Sequence, residues 1–255
     1  MKQVFKRIFQ ILLGISLLLL ISGVVITFCF SEAIERKVVS KIQQQMTSEL
    51  QLGDVAFSLY ETFPSASVKI TDLIAFEKEG FDNDTLFYAK TTYIELNIFD
   101  VISTTIDIKK AIFSDGTINI KYDAENKPNF AIFKTSEENK NQITLNQILI
   151  LNTSVKCRKN NINIDWHTSK ALLLFKENNL SINARLFSEQ LEVNKRDYLY
   201  EKNIQLHATL SFKKDSIFIQ PGSIIHIEEV EVKLSGGVFY GNTLDLNFSC
   251  NTQEL

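Results

Sequence analysis

Hydrophobic and polar positions follow three different patterns along the chain. Residues 8–30 are uncharged and mostly apolar. In residues 32–50 apolar residues recur every four positions, and from residue 54 onward they recur every second position. These patterns predict an apolar helix, then an amphipathic helix, then a long series of strands. The predicted fold is mainly β, with three parts at residues 1–30, 31–52 and 53–255.

The uncharged run predicts a transmembrane anchor that is not cleaved. As a helix its 23 residues would extend over roughly 35 Å, enough to cross a bilayer core of about 30 Å. It is longer than the apolar stretch of a signal peptide, and it ends in TFCF at residues 27–30, without the small residues of a cleavage site. Lys2, Lys6 and Arg7 precede it, so the positive-inside rule predicts a cytoplasmic N-terminus and a remainder outside the cytoplasm.

The amphipathic helix predicted for residues 31–52 has one apolar stripe and one charged side. Positions four residues apart lie along the same side of a helix. We expect the stripe to pack on the domain that follows, and a coiled-coil partner is the alternative. The stripe consists of Ile34, Val38, Ile42, Met46 and Leu50.

The period of two predicts strands with one apolar and one polar face, which is typical of a long, twisted antiparallel sheet. About fifteen strands fit the pattern after residue 54. Asp115-Gly116 predicts a hairpin, and Gly236-Gly237 and Gly241-Asn242 predict turns.

Composition and motifs argue against catalysis and against nucleic acid as a partner. The net charge is −3, which does not favour a nucleic-acid surface. Phosphate-binding, nucleophile-elbow and zinc-protease motifs are absent from the sequence. We therefore predict that the chain is not an enzyme and has no cofactor and no metal. Asp165 and His167 are the alternative catalytic pair, but Trp166 between them continues an apolar alternation, which places both on the solvent side.

Three cysteines are scattered along the chain, and none clusters with a histidine. Cys29 lies in the apolar run and lacks the small preceding residues of a lipidation site. Cys157 and Cys250 are either paired or simply buried, and the sequence does not decide between these possibilities.

The start of the β region resembles the AsmA family of Gram-negative envelopes, especially its Bacteroidetes-type members. The resemblance rests on GDV at residues 53–55, FSL at 57–59 and TFPSASV at 62–68. It continues to about residue 134, where NKPNF at 126–130 is similar to a family signature with Phe130 in place of the usual Trp.

The resemblance implies a repeating β-groove related to bridge-like, chorein-type lipid-transfer proteins. It implies an inner-membrane anchor, a periplasmic body and a role in outer-membrane biogenesis through phospholipid transport. The alternative is an envelope scaffold that carries no lipid and assists outer-membrane protein assembly. The residues expected to line the groove, chosen by polarity, are Phe57, Val68, Ile70, Ile94, Leu96, Ile98, Ile118 and Ile120.

The chain departs from that family in length. Family members continue for several hundred residues, whereas this sequence ends at Leu255, just after a predicted strand. From the resemblance we expect a truncated member, a fragment or one part of a larger assembly. We expect the final strand, residues 243–250, to be an open edge that pairs with a further subunit or an outer-membrane assembly protein.

Overall fold

The structure, a computed structural model, describes residues 9, 11–14, 31–58, 65–78, 80–81, 84–97, 108–132, 145–214, 216–240 and 244–254. Most of the predicted anchor lies outside these ranges; residue 9 and residues 11–14 are helical. No helix within the described ranges is both long enough and apolar enough to cross a membrane. The anchor therefore stays a prediction from the sequence.

Thirteen strands in the described part of the chain form a single sheet, so the prediction of a mainly β fold is confirmed. Most of the strands follow runs of alternating apolar and polar residues, as the sequence predicted. Their bounds are β1 (Leu50–Gln51), β2 (Val55–Ser58), β3 (Ala66–Phe76), β4 (Thr85–Leu96), β5 (Ile108–Lys121), β6 (Gln147–Lys159), β7 (Ile162–Lys176), β8 (Asn179–Val193), β9 (Arg196–Asp197), β10 (Lys202–Lys213), β11 (Ser216–Ile227), β12 (Val230–Tyr240) and β13 (Leu244–Glu254).

The strand order across the sheet is β1-β3-β4-β5-β6-β7-β8-β10-β11-β12-β13, with β2 also paired to β3 and β9 to β8. All pairs are antiparallel except β5 and β6, which run parallel. The sheet is therefore mixed, where the sequence predicted an antiparallel one. Alternation tells which face a side chain takes, but not the direction of the neighbouring strand. The eleven strands in this order extend over about 48 Å, less than the roughly 70 Å expected for fifteen.

The amphipathic helix spans residues 31–45, so it is shorter than the predicted 31–52. Its apolar stripe faces the sheet, since Ile34 is 4% exposed and Val38 is fully buried. The chain then leaves the helix because it joins the sheet: Leu50 pairs with Ala75 of β3. Backbone pairing with β3 thus takes the place of the helical hydrogen bonds that the four-residue pattern predicted for Leu50.

Asp115-Gly116 lies inside β5 and does not form a hairpin. Asp115 has a φ of 56°, and Asp72 in β3 and Asn152 in β6 each have a φ of 45°. The register places these three left-handed residues at one level of the sheet. A Cβ at Gly116 would overlap the carbonyl oxygen of Tyr88. An Asp-Gly pair suits positive φ within an irregular strand as well as in a turn, so the predicted chain reversal was wrong.

The other two predicted turns have different outcomes. Gly236-Gly237 lies inside β12, where Gly236 has a φ of 137° and the strand continues past it. The turn prediction was therefore wrong at this pair. Gly241-Asn242 lies outside the described residues.

The buried core lies between the amphipathic helix and strands β2 to β5. The helix is also held by a polar contact, in which the backbone amide of Phe57 donates a 2.9 Å hydrogen bond to Oε1 of Glu35. A smaller cluster joins Met46 to Ala75, Leu86 and Ile132. The main cluster contains Ile34, Val38, Phe57, Ala66, Val68, Ile70, Leu73, Ile94, Leu96, Ile108 and Ala111.

The segment at residues 126–130 is fastened to the sheet through Asn129, which is fully buried. Its Nδ2 donates hydrogen bonds to Oε1 of Glu77 and to the carbonyl of Asn119, both at 2.9 Å. Its Oδ1 accepts a 3.0 Å hydrogen bond from the backbone amide of Lys121. The Lys121 ammonium lies 3.1 Å from the buried Glu77 carboxylate and balances its charge. Asn129 thus connects the end of β3 to β5.

Asp84 extends this network to the surface. Its Oδ2 lies 3.0 Å from Nζ of Lys121. Hydrogen bonds from Lys121 and from the Thr85 amide hold the pKa of Asp84 below its ordinary value. Burial acts to lower the pKa of Lys121, but hydrogen bonds to Asp84 and Glu77 and their charges outweigh it, and the pKa is raised. Both shifts are consequences of the ion pair, which favours the charged forms of the two side chains.

Candidate functional site

Cross-strand register determines which side chains share a face, because directly paired residues project to the same side of a sheet. One row of such pairs crosses seven strands, from β5 to β12, and every member is apolar. We call the side of the sheet that carries this row the apolar face. The row consists of Phe113, Ile150, Ala171, Ala184, Leu206, Ile225 and Val232.

The opposite side of the sheet is mostly polar, and we call it the polar face. Arg158 of β6 binds Asp165 of β7 through both carboxylate oxygens, at 2.6 and 2.8 Å. Further along, Asn163 donates to Glu192 at 2.8 Å. The sheet in this region therefore separates a charged surface from an apolar one.

Five of the eight predicted groove residues lie under the amphipathic helix. The apolar face begins at β2 and β3, where Val55 pairs with Ile70 and Phe57 with Val68. The five residues are Phe57, Val68, Ile70, Ile94 and Leu96, all in the main buried cluster with Ile34 and Val38. We call this region the covered part of the apolar face.

The remaining three predicted residues have other positions. Ile118 pairs with Val155 of β6 and Ile120 with Cys157, and both isoleucines are half-buried beyond the reach of the main cluster. Ile98 lies outside the described residues. The structure therefore brings the first five together as core and leaves Ile118 and Ile120 closer to solvent.

From β6 to β12 the apolar face lacks such a layer in the described part of the chain. Neither buried cluster has a member in these strands. Their buried hydrophobic residues are Ala171, Ala184, Ile204 and Ala208, of which three are alanines. Large side chains such as Leu206 and Ile225 are only half-buried. We call this region the uncovered part.

The uncovered part is larger than an ordinary surface patch. Five strand intervals make about 24 Å, and ten residues along a strand make about 33 Å, so its area is on the order of 1,000 Å². The largest apolar patch on a typical soluble monomer is about 300–600 Å² and is often functional. The uncovered part is therefore the candidate functional site.

Small side chains occupy the middle of this surface. Thr153, Ala171, Ala184, Ala208 and Ser223, on five successive strands of the sheet order, are each 8% exposed or less. Larger half-buried residues flank some of them along the strands, as Ile150 and Val155 flank Thr153 and as Leu206 and Leu210 flank Ala208. A line of small residues between larger ones makes a shallow furrow across the strands. Sequence reasoning missed these residues, although small side chains interrupting the alternation were a visible signal.

The alternative catalytic pair is not arranged around a shared proton. Asp165 is bound by Arg158, and His167 pairs across the sheet with Ser154 and Phe187. In the part of the chain that the structure describes, no group of three or more His, Cys, Asp or Glu residues could hold a metal. The absence of an activity stays a prediction.

Cys157 is a free thiol on β6, and burial raises its pKa. Cys250, with which the sequence left pairing open, is in β13, six strand intervals away in the sheet order. In a flat sheet this separation is about 29 Å, whereas a disulfide needs Cα atoms within about 7 Å. Pairing within the chain is therefore not observed.

Comparison with models of known protein families gave no match, and a search of curated proteins gave none either. The fold and the site define a class of protein: a broad single sheet with one large apolar surface that its own described residues leave uncovered.

Proposed function

We propose that this chain is an inner-membrane-anchored periplasmic protein that holds or conducts phospholipid along its apolar face and supports outer-membrane biogenesis. The observation that carries the proposal is the uncovered part of that face, with an area on the order of 1,000 Å². Acyl chains are the ligand that such a surface suits, because each buried methylene contributes about 0.8 kcal/mol without any specific chemistry.

The furrow indicates the direction in which a bound acyl chain would lie. Its small residues form a slanting line across the strands, since Ala171 pairs with Ala184 and Ala208 lies two residues beyond Leu206, the partner of Ala184. An acyl chain lying there runs across the strands, along the long axis of the sheet. The right-handed twist common to sheets curves such a surface, so we propose that it is a groove. Lipid then passes from strand to strand without meeting a charged side chain.

The anchor at residues 8–30 supplies the lipid source in this proposal. It places the amphipathic helix and β1 next to a bilayer, and the strands that follow extend away from it. Because the helix covers the first strands, we propose that lipid contacts begin near Ile118 and Ile120 and continue through β6 to β12. The residues under the helix serve as core.

Site-directed photo-crosslinking in cells tests the proposal on β10. A photoreactive amino acid would replace Leu206, Ala208 and Leu210 in turn, and Gln205 and His207 as controls on the opposite face. We expect labelled phospholipid at the three apolar-face positions and none at the two controls, because neighbouring residues project to opposite sides.

A further control distinguishes the covered part from the uncovered part. The same amino acid at Ile94, which is 5% exposed, should attach to the helix and not to lipid. If a folded, anchored protein attaches no lipid at any β10 position, the proposal fails and the envelope scaffold takes its place. A scaffold would instead attach to an outer-membrane assembly protein.

A further inference from the structure

Trp166 is the only tryptophan of the chain, and it lies on the uncovered part of the apolar face. In the register it pairs with Val155 of β6 and Ser188 of β8. The residue as a whole is half-buried, yet its indole Nε1 is buried and has no hydrogen-bond partner within the described residues. An unsatisfied donor on an otherwise apolar surface requires an explanation.

None of the neighbouring side chains that the structure describes accepts a hydrogen bond from Nε1. Val155 is a hydrocarbon, and the hydroxyl of Ser188 donates a 2.7 Å hydrogen bond to the carbonyl of Leu199. The hydroxyl of Thr153 likewise donates to the carbonyl of Leu151 at 2.9 Å. A buried donor without a partner destabilises a protein, and phenylalanine would occupy the same site without that cost. Within the described residues the indole N–H therefore makes no hydrogen bond that would favour tryptophan over phenylalanine at this position.

The backbone opposite Trp166 is irregular. Asp165 pairs with Gln190, whereas Trp166 pairs with Ser188, so β8 carries one extra residue, Glu189, at this point. A bulge of this kind alters the direction of nearby side chains and is common beside functional sites. The indole thus sits at a local break in the regular ladder of the apolar face.

We propose, resting on the function proposed above, that Nε1 of Trp166 donates a hydrogen bond to an ester carbonyl of a bound glycerolipid and so selects ester-linked lipids. An indole N–H only donates, and an ester carbonyl only accepts. The ester stands at the start of an acyl chain, whose methylenes then lie on the apolar face along β7 toward Ala171, five residues further along the strand. Because Nε1 lies below the surface, the indole turns toward the ester as the chain enters.

The test compares a diacyl phosphatidylcholine with its dialkyl ether analogue of the same chain length, which lacks the carbonyls. Binding of each lipid is measured on the full chain in detergent, for the unmodified protein and for Trp166→Phe. We expect the unmodified protein to bind the ester lipid about fivefold more tightly, which corresponds to about 1 kcal/mol for one neutral hydrogen bond. In Trp166→Phe the ratio falls to about one, while binding of the ether lipid is unchanged.

A matched control is Ile164→Val, on the same strand and face, which should leave the ratio at about fivefold. If the unmodified protein binds both lipids equally, the role of Trp166 is overturned, whether or not the phenylalanine variant folds. An unchanged ratio in a folded Trp166→Phe variant overturns it as well. If the unmodified protein binds neither lipid, the proposed function itself fails.

Discussion

The covered and uncovered parts of the apolar face share the same alternation of apolar and polar residues, but they have different surroundings. Ile70 and Leu96 are fully buried, because the amphipathic helix lies over them. Leu206 and Ile225 occupy equivalent positions in the alternation, yet they are only half-buried. Alternation thus assigns a residue to a face, whereas a separate element decides whether that face is core or surface.

The largest expected effect comes from placing a charge in each part. Ile70→Asp puts a carboxylate under the helix, where it has neither water nor a partner, and we expect a loss of more than about 4 kcal/mol in the free energy of unfolding. Leu206→Asp, on the same face of β10, should cost less than about 1 kcal/mol and remove lipid crosslinking. Denaturant unfolding measures the free energy of unfolding of both variants, and equal losses would show that the two parts are covered alike.

A smaller effect is expected at the polar network that fastens the covered part. Asn129→Ala leaves the Glu77 carboxylate and the Asn119 carbonyl without their donor, which should cost about 1–3 kcal/mol. Asn203, on the polar face, donates to Glu228 at 3.2 Å and is exposed. Its alanine variant should change the free energy of unfolding by less than about 0.5 kcal/mol. Similar losses in the two variants would contradict the structural role of Asn129.

Two alanines allow the packing of the two parts to be compared directly. Ala66 is fully buried in the main cluster, and Ala184 is 8% exposed in the furrow. Ala66→Leu should cost about 1–2 kcal/mol because a close-packed core has no room for three more carbons. Ala184→Leu should cost less than about 0.5 kcal/mol and reduce lipid crosslinking at Leu206. A large loss of stability at Ala184 would mean that a second layer covers the furrow.

The smallest effect is a dependence on pH at the edge of the covered part. The pKa of Asp84 is lowered from 3.8 by the hydrogen bonds from Lys121 and Thr85. Its contribution to stability is therefore present above pH 3.8 and is lost as the pH falls through the lower, folded-state pKa. Unfolding of the unmodified protein and of Asp84→Asn should differ at pH 6 and converge near pH 2. If the difference in the free energy of unfolding stays constant with pH, the ionisation of Asp84 does not contribute to stability.

The sequence predicted the strands well because most of them depend on short-range alternation, as at Ile162 and Ile164 of β7. It placed the amphipathic helix but extended it too far, since the pairing of Leu50 with Ala75 is a long-range contact. It misread Asp115-Gly116 because a left-handed residue suits a turn and an irregular strand equally. The alternation predicts the covered residues as groove-lining because nothing in it shows where a helix lies across a sheet.

The parallel pairing of β5 with β6 has a consequence for the order of folding. Antiparallel neighbours meet close in sequence, as Lys159 does with Ile162, whereas Lys110 and Gln147 must close a much longer loop before they pair. Contacts that close long loops form late, because the chain loses conformational entropy on closing the loop before the new contacts stabilise it. We expect the β6–β8 hairpins to form first and the β5–β6 seam to join them afterwards. Pulse-labelled hydrogen exchange during refolding would show early protection in β7, and equally early protection of the β5–β6 pairing would refute this order.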